Sequence, residues 1–146
     1  MMKMDEIDKK ILQLLQHNSR ISIKEMSKQI SLSEPSVKTR MDRLIENGVI
    51  EKFTIQINEA KLGLTIPYII KISNIQVTIH ELVEVLKSYP NITEAHAVTG
   101  GENYIVKGRA QDIAEIDRLL NQLMPYGTIN TSIILESPIE REIRIE

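Results

Sequence analysis

Apolar residues recur about every 3.6 positions over the first third of the chain and about every second position farther on. That change of period divides the sequence before any single residue is considered. Ile7, Ile11, Leu14 and Leu15 fall at i, i+4, i+7 and i+8 behind Asp5, which predicts a first helix from about Asp5 to His17. Ser22 and Glu25 have capping-box spacing and Ile21 can staple onto Met26, so a short second helix starts there. After Ile30 and Ser31 the signal repeats. Ser33 can cap, Pro35 falls in the first turn where a missing N–H costs little, and Leu32 can staple onto Val37. This third helix runs to Asn47, with Gly48 as a left-handed stop. Two capped helices, the first of them short, joined by a turn of three or four residues have the spacing of a helix-turn-helix, with the first helix closing the core.

On the third helix Val37, Met41, Leu44 and Ile45 share a face by their spacing and are expected to be buried. Ser36, Lys38, Thr39, Arg40 and Arg43 are then left to project outward in varying degrees. Those three cations face only Glu34 and Asp42. Arg40 also has a purely structural option, pairing with Asp42 or Glu46 to hold the helix in place.

From Val49 the period is two. Phe53, Ile55 and Ile57 alternate with Lys52, Thr54 and Gln56 before Asn58 to Gly63 breaks the pattern, which reads as a connecting strand and linker. Beyond it come a strand at Ile66 to Ser73, a helix capped by Thr78 and Glu81, and strands at Ile92 to Thr99 and Asn103 to Ala110 flanking Gly100-Gly101. A helix from Asp112 carrying Ile113, Ile116, Leu119, Leu120 and Leu123 follows, then a last strand at about Thr128 to Ser137. The order βαββαβ predicts a ferredoxin-like sandwich, two helices on one face of an antiparallel sheet. The fold class is therefore α+β, divided as 1–50 helix-turn-helix, 51–64 connecting strand and hinge, and 65–146 ferredoxin-like domain. Ile66, Tyr68, Ile70 and Ile72 share one sheet face and Ile69 stands on the other, so a second subunit is expected to cover the open side.

Composition narrows the function classes. Charged residues make up 26% and hydrophobic ones 42%, the balance of a soluble globular protein, and no apolar run approaches the roughly 20 residues of a membrane span. The charged N-terminal stretch lacks the apolar middle of a secretory signal, which suits a cytoplasmic protein. With no cysteine there is neither a disulfide framework nor a thiolate ligand or nucleophile. The net charge of −2 hides a mild asymmetry: residues 1–48 hold nine Lys and Arg against seven Asp and Glu, so any positive field belongs to the first third and is concentrated on one element.

The blocks Asp5-Glu-Ile-Asp8-Lys-Lys-Ile11-Leu12, Arg20-Ile-Ser-Ile23 and Leu32-Ser33-Glu-Pro-Ser-Val37-Lys-Thr-Arg40-Met-Asp-Arg43-Leu44-Ile-Glu-Asn-Gly48-Val-Ile50 closely resemble the Lrp/AsnC family of prokaryotic transcription regulators. The resemblance continues through Leu62-Gly63 and Val98-Thr-Gly100 to the final strand. It implies a winged helix-turn-helix, a β-strand hinge, and an amino-acid-sensing domain that dimerises through its sheet and often builds octamers on pseudo-palindromic double-stranded DNA. It also implies a nucleoid-associated, cytoplasmic protein. Ser36, Thr39 and Arg40 are then expected at base edges or in the groove, and Lys38 and Arg43 at phosphates. The resemblance places a small-molecule effector near Thr99, Gly100, Gly101, Glu102, Asn103 and Tyr104; Thr131 and Ser132, hydroxyls on the last strand, are further candidates to line the same pocket. The family commonly has an acidic residue where Asn103 stands, and an amide accepts a hydrogen bond from an ammonium group but supplies no charge.

Catalysis needs a nucleophile with its base, a carboxylate pair or a metal, and no spacing in the chain supplies one. His17, His80 and His96 fall on a helix end, a helix start and a strand. No P-loop or dinucleotide fingerprint occurs. The reading is of a non-enzyme without cofactor, metal or catalytic residues. The alternatives are a haem-pathway decarboxylase, which resembles the same family but loses the DNA-contacting residues, and a sensor module without DNA binding.

Overall fold

The computed structural model describes residues 3–140, 143 and 145. The chain divides into two compact units: one formed by the residues up to Gln56 with Ile143 and Ile145, the other by Ile57–Glu140.

The first unit is built on α1 (Glu6–His17), α2 (Ile23–Ile30) and α3 (Glu34–Glu46). Each begins where a side-chain oxygen meets an orphan N–H. Asp5 accepts from the N–H groups of Ile7 and Asp8 at 3.0 and 2.9 Å, and the Asp8 carboxylate accepts in return from Asp5 N–H at 3.1 Å, a complete capping box. Ser22 accepts from Glu25 N–H, but the Glu25 carboxylate takes a hydrogen bond from Gln29 Nε2, so only half of the expected box forms at α2. Ser33 caps α3 through Ser36 N–H. The turn between α2 and α3 passes through Ser31, a non-glycine residue in the left-handed region at φ 57°. Gly48, at φ +68°, reverses the chain after α3 so that the N–H of Val49 reaches the Leu44 carbonyl at 2.9 Å.

Ile11, Met26, Val37 and Leu44 are fully buried at the centre of this unit. Ile45 departs from expectation: it is 43% exposed, because Val37 and Leu44 define the buried stripe and Ile45, one position beyond Leu44, turns about 100° away from it. Ile145 packs against the same core, and Gln13 Nε2 and Gln16 Nε2 donate to the carbonyls of Ile145 and Ile143 at 3.0 and 3.2 Å.

The second unit contains β1 (Ile66–Ser73), α4 (Ile79–Lys87), β2 (Ile92–Ala97), β3 (Tyr104–Ala110), α5 (Ile113–Leu123) and β4 (Thr128–Ile133). The strands form one antiparallel sheet in the order β2-β3-β1-β4. Tyr68, Ile70, Ile72, Val106 and Ala110 face Leu82, Leu86, Ile116, Leu119 and Leu123 of the two helices, which closes the core. Register then assigns Ile69, Lys71, Ile105, Lys107, Glu94 and His96 to the opposite face.

The strand expected over Phe53 to Ile57 does not form, and these three alternating apolar residues stay 51%, 74% and 53% exposed. Period-two patterning produces a strand only beside another strand, and no strand pairs with this segment among the described residues. A short 3-10 turn at Glu59–Leu62 takes up the linker, anchored by Arg109, whose Nε lies 2.7 Å from the Glu59 carboxylate and whose Nη1 donates to Leu64 O. The last strand also ends sooner than expected, at Ile133: Ile134 N–H still donates to Pro67 O, but Pro67 has no N–H with which to continue the ladder.

Candidate nucleic-acid interface and effector turn

The outer face of α3 presents Ser36, Lys38 and Thr39 to solvent. Their hydroxyls are already oriented. Ser36 Oγ lies 2.8 Å from Ser33 Oγ, and Thr39 Oγ1 donates to the Pro35 carbonyl at 2.9 Å, leaving the Thr39 lone pairs as acceptors. Among the described residues Lys38 makes no ion pair.

Arg40 and Arg43 are placed differently. Arg40 Nη1 lies 2.8 Å from Asp8 Oδ1 and 2.8 Å from Asp5 Oδ2, while Arg43 Nη2 lies 2.6 Å from Asp8 Oδ2. The Asp8 side chain is fully buried, that of Arg40 is 25% exposed and that of Arg43 46%. Arg40 therefore pairs with two carboxylates of the α1 start and not with Asp42 or Glu46. The electrostatics agree with the geometry. The N–H of Asp8 and the Arg40 guanidinium hold the Asp5 carboxyl below the usual range, and the hydrogen bonds to Asp5 and Asp8 raise the Arg40 value.

This placement follows from spacing. Arg40 stands three residues after Val37 and four before Leu44, so it lies on the buried stripe of α3. Asp8 stands three before Ile11 and four before Leu12, on the buried stripe of α1. An acid on one packed stripe and a base on the other is the sequence signal that a count of apolar positions alone passes over.

In the second unit the turn from Thr99 to Tyr104 joins β2 to β3. Thr99, Gly100, Gly101 and Asn103 are exposed, while Glu102 and Tyr104 are partly buried. Gly100 takes φ +115°, which a side chain would resist. Asn103 fixes the turn with its backbone: its N–H donates to Ile72 O at 2.9 Å and its carbonyl accepts from Val98 N–H. The Glu102 carboxylate lies 3.6 Å from Lys71 Nζ. Thr131 and Ser132, adjacent on β4, point to opposite faces of the sheet, Thr131 with Ile70 toward the helices and Ser132 with Ile69 away from them, so the two do not line one pocket. His17 and His80 sit at helix ends, and His96 on β2 lies 2.8 Å from Glu94. No helix among the described residues is long and apolar enough to cross a membrane.

Residues 4–51 match the family model for winged helix-turn-helix DNA-binding, and residues 69–143 match that of the Lrp/AsnC ligand binding domain. The HTH-type transcriptional regulator LrpC of Bacillus subtilis is 29% identical over 133 residues, covering 91% of this chain and 92% of its own length. The transcriptional regulator AzlB of the same organism is 34% identical over 142 residues, 92% of this chain and 90% of its own. The solved structure of B. subtilis LrpC superposes with a TM-score of 0.90 at 28% identity, over 96% of this chain and 100% of that one. A transcriptional regulator of Neisseria meningitidis solved as its complex with L-Met shares the fold, with a TM-score of 0.87 at 21% identity over 94% of each chain.

Proposed function

The chain belongs to the Lrp/AsnC family of transcription regulators, and from that membership we propose that α3 enters the major groove of double-stranded DNA and selects the operator. The observation that carries this reading is the exposed row Ser36, Lys38 and Thr39 on a helix whose opposite side is locked by Val37 and Leu44. Ser36 and Thr39 are short, pre-oriented groups suited to base edges, and the Thr39 methyl suits the methyl of thymine. Lys38 is a free cation suited to phosphate. Arg43 touches Asp8 through one nitrogen and stays half exposed, so a phosphate can compete for it. Arg40 differs from these four because its guanidinium lies against α1.

A helix-turn-helix with one unpaired lysine on its reading face holds one copy on DNA weakly. We read the functional unit as a homodimer on a pseudo-palindromic site, in which two linked half-sites supply the affinity. The sheet face bearing Ile69 and Ile105 is the dimer surface this reading selects, and octamers are assemblies of such dimers. The ligand-binding domain takes a small effector at the turn from Thr99 to Tyr104, with an amino acid as the first class to test. With Asn103 supplying no charge and Glu102 beside Lys71, the site favours ligands recognised by hydrogen bonds over those held by an ammonium group alone. The protein works as a cytoplasmic regulator and not as an enzyme, in keeping with relatives that are named regulators.

Selection of bound duplexes from a random DNA pool at about 0.15 M salt, with and without a panel of amino acids, tests the whole reading. A two-fold related motif is the expected product. Recovery of no motif would overturn it.

A further inference from the structure

Asp8 is the one fully buried acid among the described residues, and both of its oxygens are engaged: Oδ1 accepts from Arg40 Nη1 at 2.8 Å, and Oδ2 from Arg43 Nη2 at 2.6 Å and Asp5 N–H at 3.1 Å. Asp5 adds a second carboxylate to Arg40, at 2.8 and 2.9 Å. Two acids from the start of α1 thus meet two guanidiniums from α3, and the cluster is electrically balanced. A buried carboxylate with every partner in place contributes little net stability, but it fixes geometry, since losing either side leaves a buried charge unpaired. The geometry it fixes is the rotation and pitch of α3 against α1, and thereby which way Ser36, Lys38 and Thr39 face.

We propose that Asp8 and Arg40 are positioning residues for DNA recognition. Arg40 acts through Asp8 and Asp5, and neither reads a base nor neutralises a phosphate. The inference rests on α3 being the reading helix. It departs from the sequence expectation for Arg40 because the charge of that residue is already paired with the carboxylates of Asp5 and Asp8.

The test uses the full chain and the duplex selected above, with Arg40→Gln, Asp8→Asn and the double variant, each checked for folding by its thermal melt. Affinity is measured against salt concentration, on the selected duplex and on a scrambled one, and the selection is repeated with Arg40→Gln. A positioning role predicts about a tenfold loss on the selected duplex and about twofold or less on the scrambled one, within the usual range of specific over non-specific binding. It predicts an unchanged slope of log affinity against log salt, base preference weakened across the whole half-site, and a double variant no worse than the poorer single. A slope shallower by about 0.9 for each bound copy would make Arg40 a phosphate contact. Loss of preference at a single base pair would make it a base reader, and unchanged specific affinity would leave the cluster a matter of fold alone. Each of these three results overturns the proposal. If Asp8→Asn fails to fold, Arg40→Gln decides by itself through slope and base profile. If the unmodified chain selects no motif, the reading of α3 has failed; if it selects one and Arg40→Gln flattens the slope, only the positioning role has.

Discussion

Gly108 lies directly across the β1–β3 ladder from Tyr68, and a methyl group on Gly108 would collide with the Tyr68 hydroxyl and come within 2.5 Å of the Asn91 carbonyl oxygen. The ring is 2% exposed, and burial, with Glu115 nearby, pushes its hydroxyl up to about 12. The absence of a side chain at 108 is what leaves room for the Tyr68 hydroxyl in the core. Gly108→Ala is expected to destabilise the chain by about 3 kcal/mol, the upper range for overpacking, because one of the clashing atoms is backbone and cannot rotate away. Urea unfolding with an unchanged slope and a lower midpoint would register it. A loss below about 0.5 kcal/mol would mean that the ring has room to move.

Thr131 carries the opposite defect. Its Oγ1 is buried on the helix-facing side of β4, opposite Ile70, with no hydrogen-bond partner. An unsatisfied buried hydroxyl costs about 1–3 kcal/mol. Thr131→Val keeps the shape and removes the polar atom, so a stabilisation of about 1 kcal/mol is expected, read as a melting temperature higher by about 2–4 °C. A lower melting temperature would show that the hydroxyl is satisfied in solution.

The two positions also show what a sequence can and cannot announce. The helices were legible because Asp5, Ser22, Ser33, Thr78 and Asp112 stand where amphipathic runs begin, and each caps the helix it precedes. The order βαββαβ was legible for the same reason. Phe53 to Ile57 misled because alternation records a strand's preference and not its partner, which the sequence does not place. Arg40 was legible as a conspicuous cation on the third helix. Its partners were not, since Asp5 and Asp8 lie more than 30 residues earlier and meet it only once three helices have packed.

Asp5 gives the first unit an acid-sensitive joint. Its carboxyl is held below the usual range by the N–H of Asp8 and then by Arg40. A folded value below the unfolded one, about 3.9, means that the stabilisation is complete above that pH and is lost as the pH falls through the folded value. Asp5→Asn keeps a competent N-cap but cannot titrate. The variant should melt below the parent at pH 7, and the gap should close as the pH is lowered from about 4 toward 2. Far-UV melts across that range check it, and a gap that stays constant with pH would remove Asp5 from the acid response.

The open sheet face supplies the last prediction. Register puts Ile69 of β1 beside Lys107, and Ile105 of β3 beside Lys71, so two isoleucines stand at the middle of a face whose other members include Glu94, His96 and Lys107. Isoleucines interleaved with lysines on the two central strands, with Glu94 and His96 on the edge strand, suit a mixed subunit contact in which the apolar residues are expected to carry most of the energy. Ile105→Glu sets a carboxylate at the middle of that face. In a two-fold symmetric contact it sets two there, facing each other, while the helix-facing core of Val106 and Ile70 is untouched. The variant is therefore expected to keep its melting transition and sediment as a monomer. Its affinity for a two-half-site operator should fall by about 100-fold, the lower end of what linkage of two modules contributes, while its affinity for an isolated half-site is unchanged. A dimer that survives Ile105→Glu at micromolar concentration would move the interface to another surface.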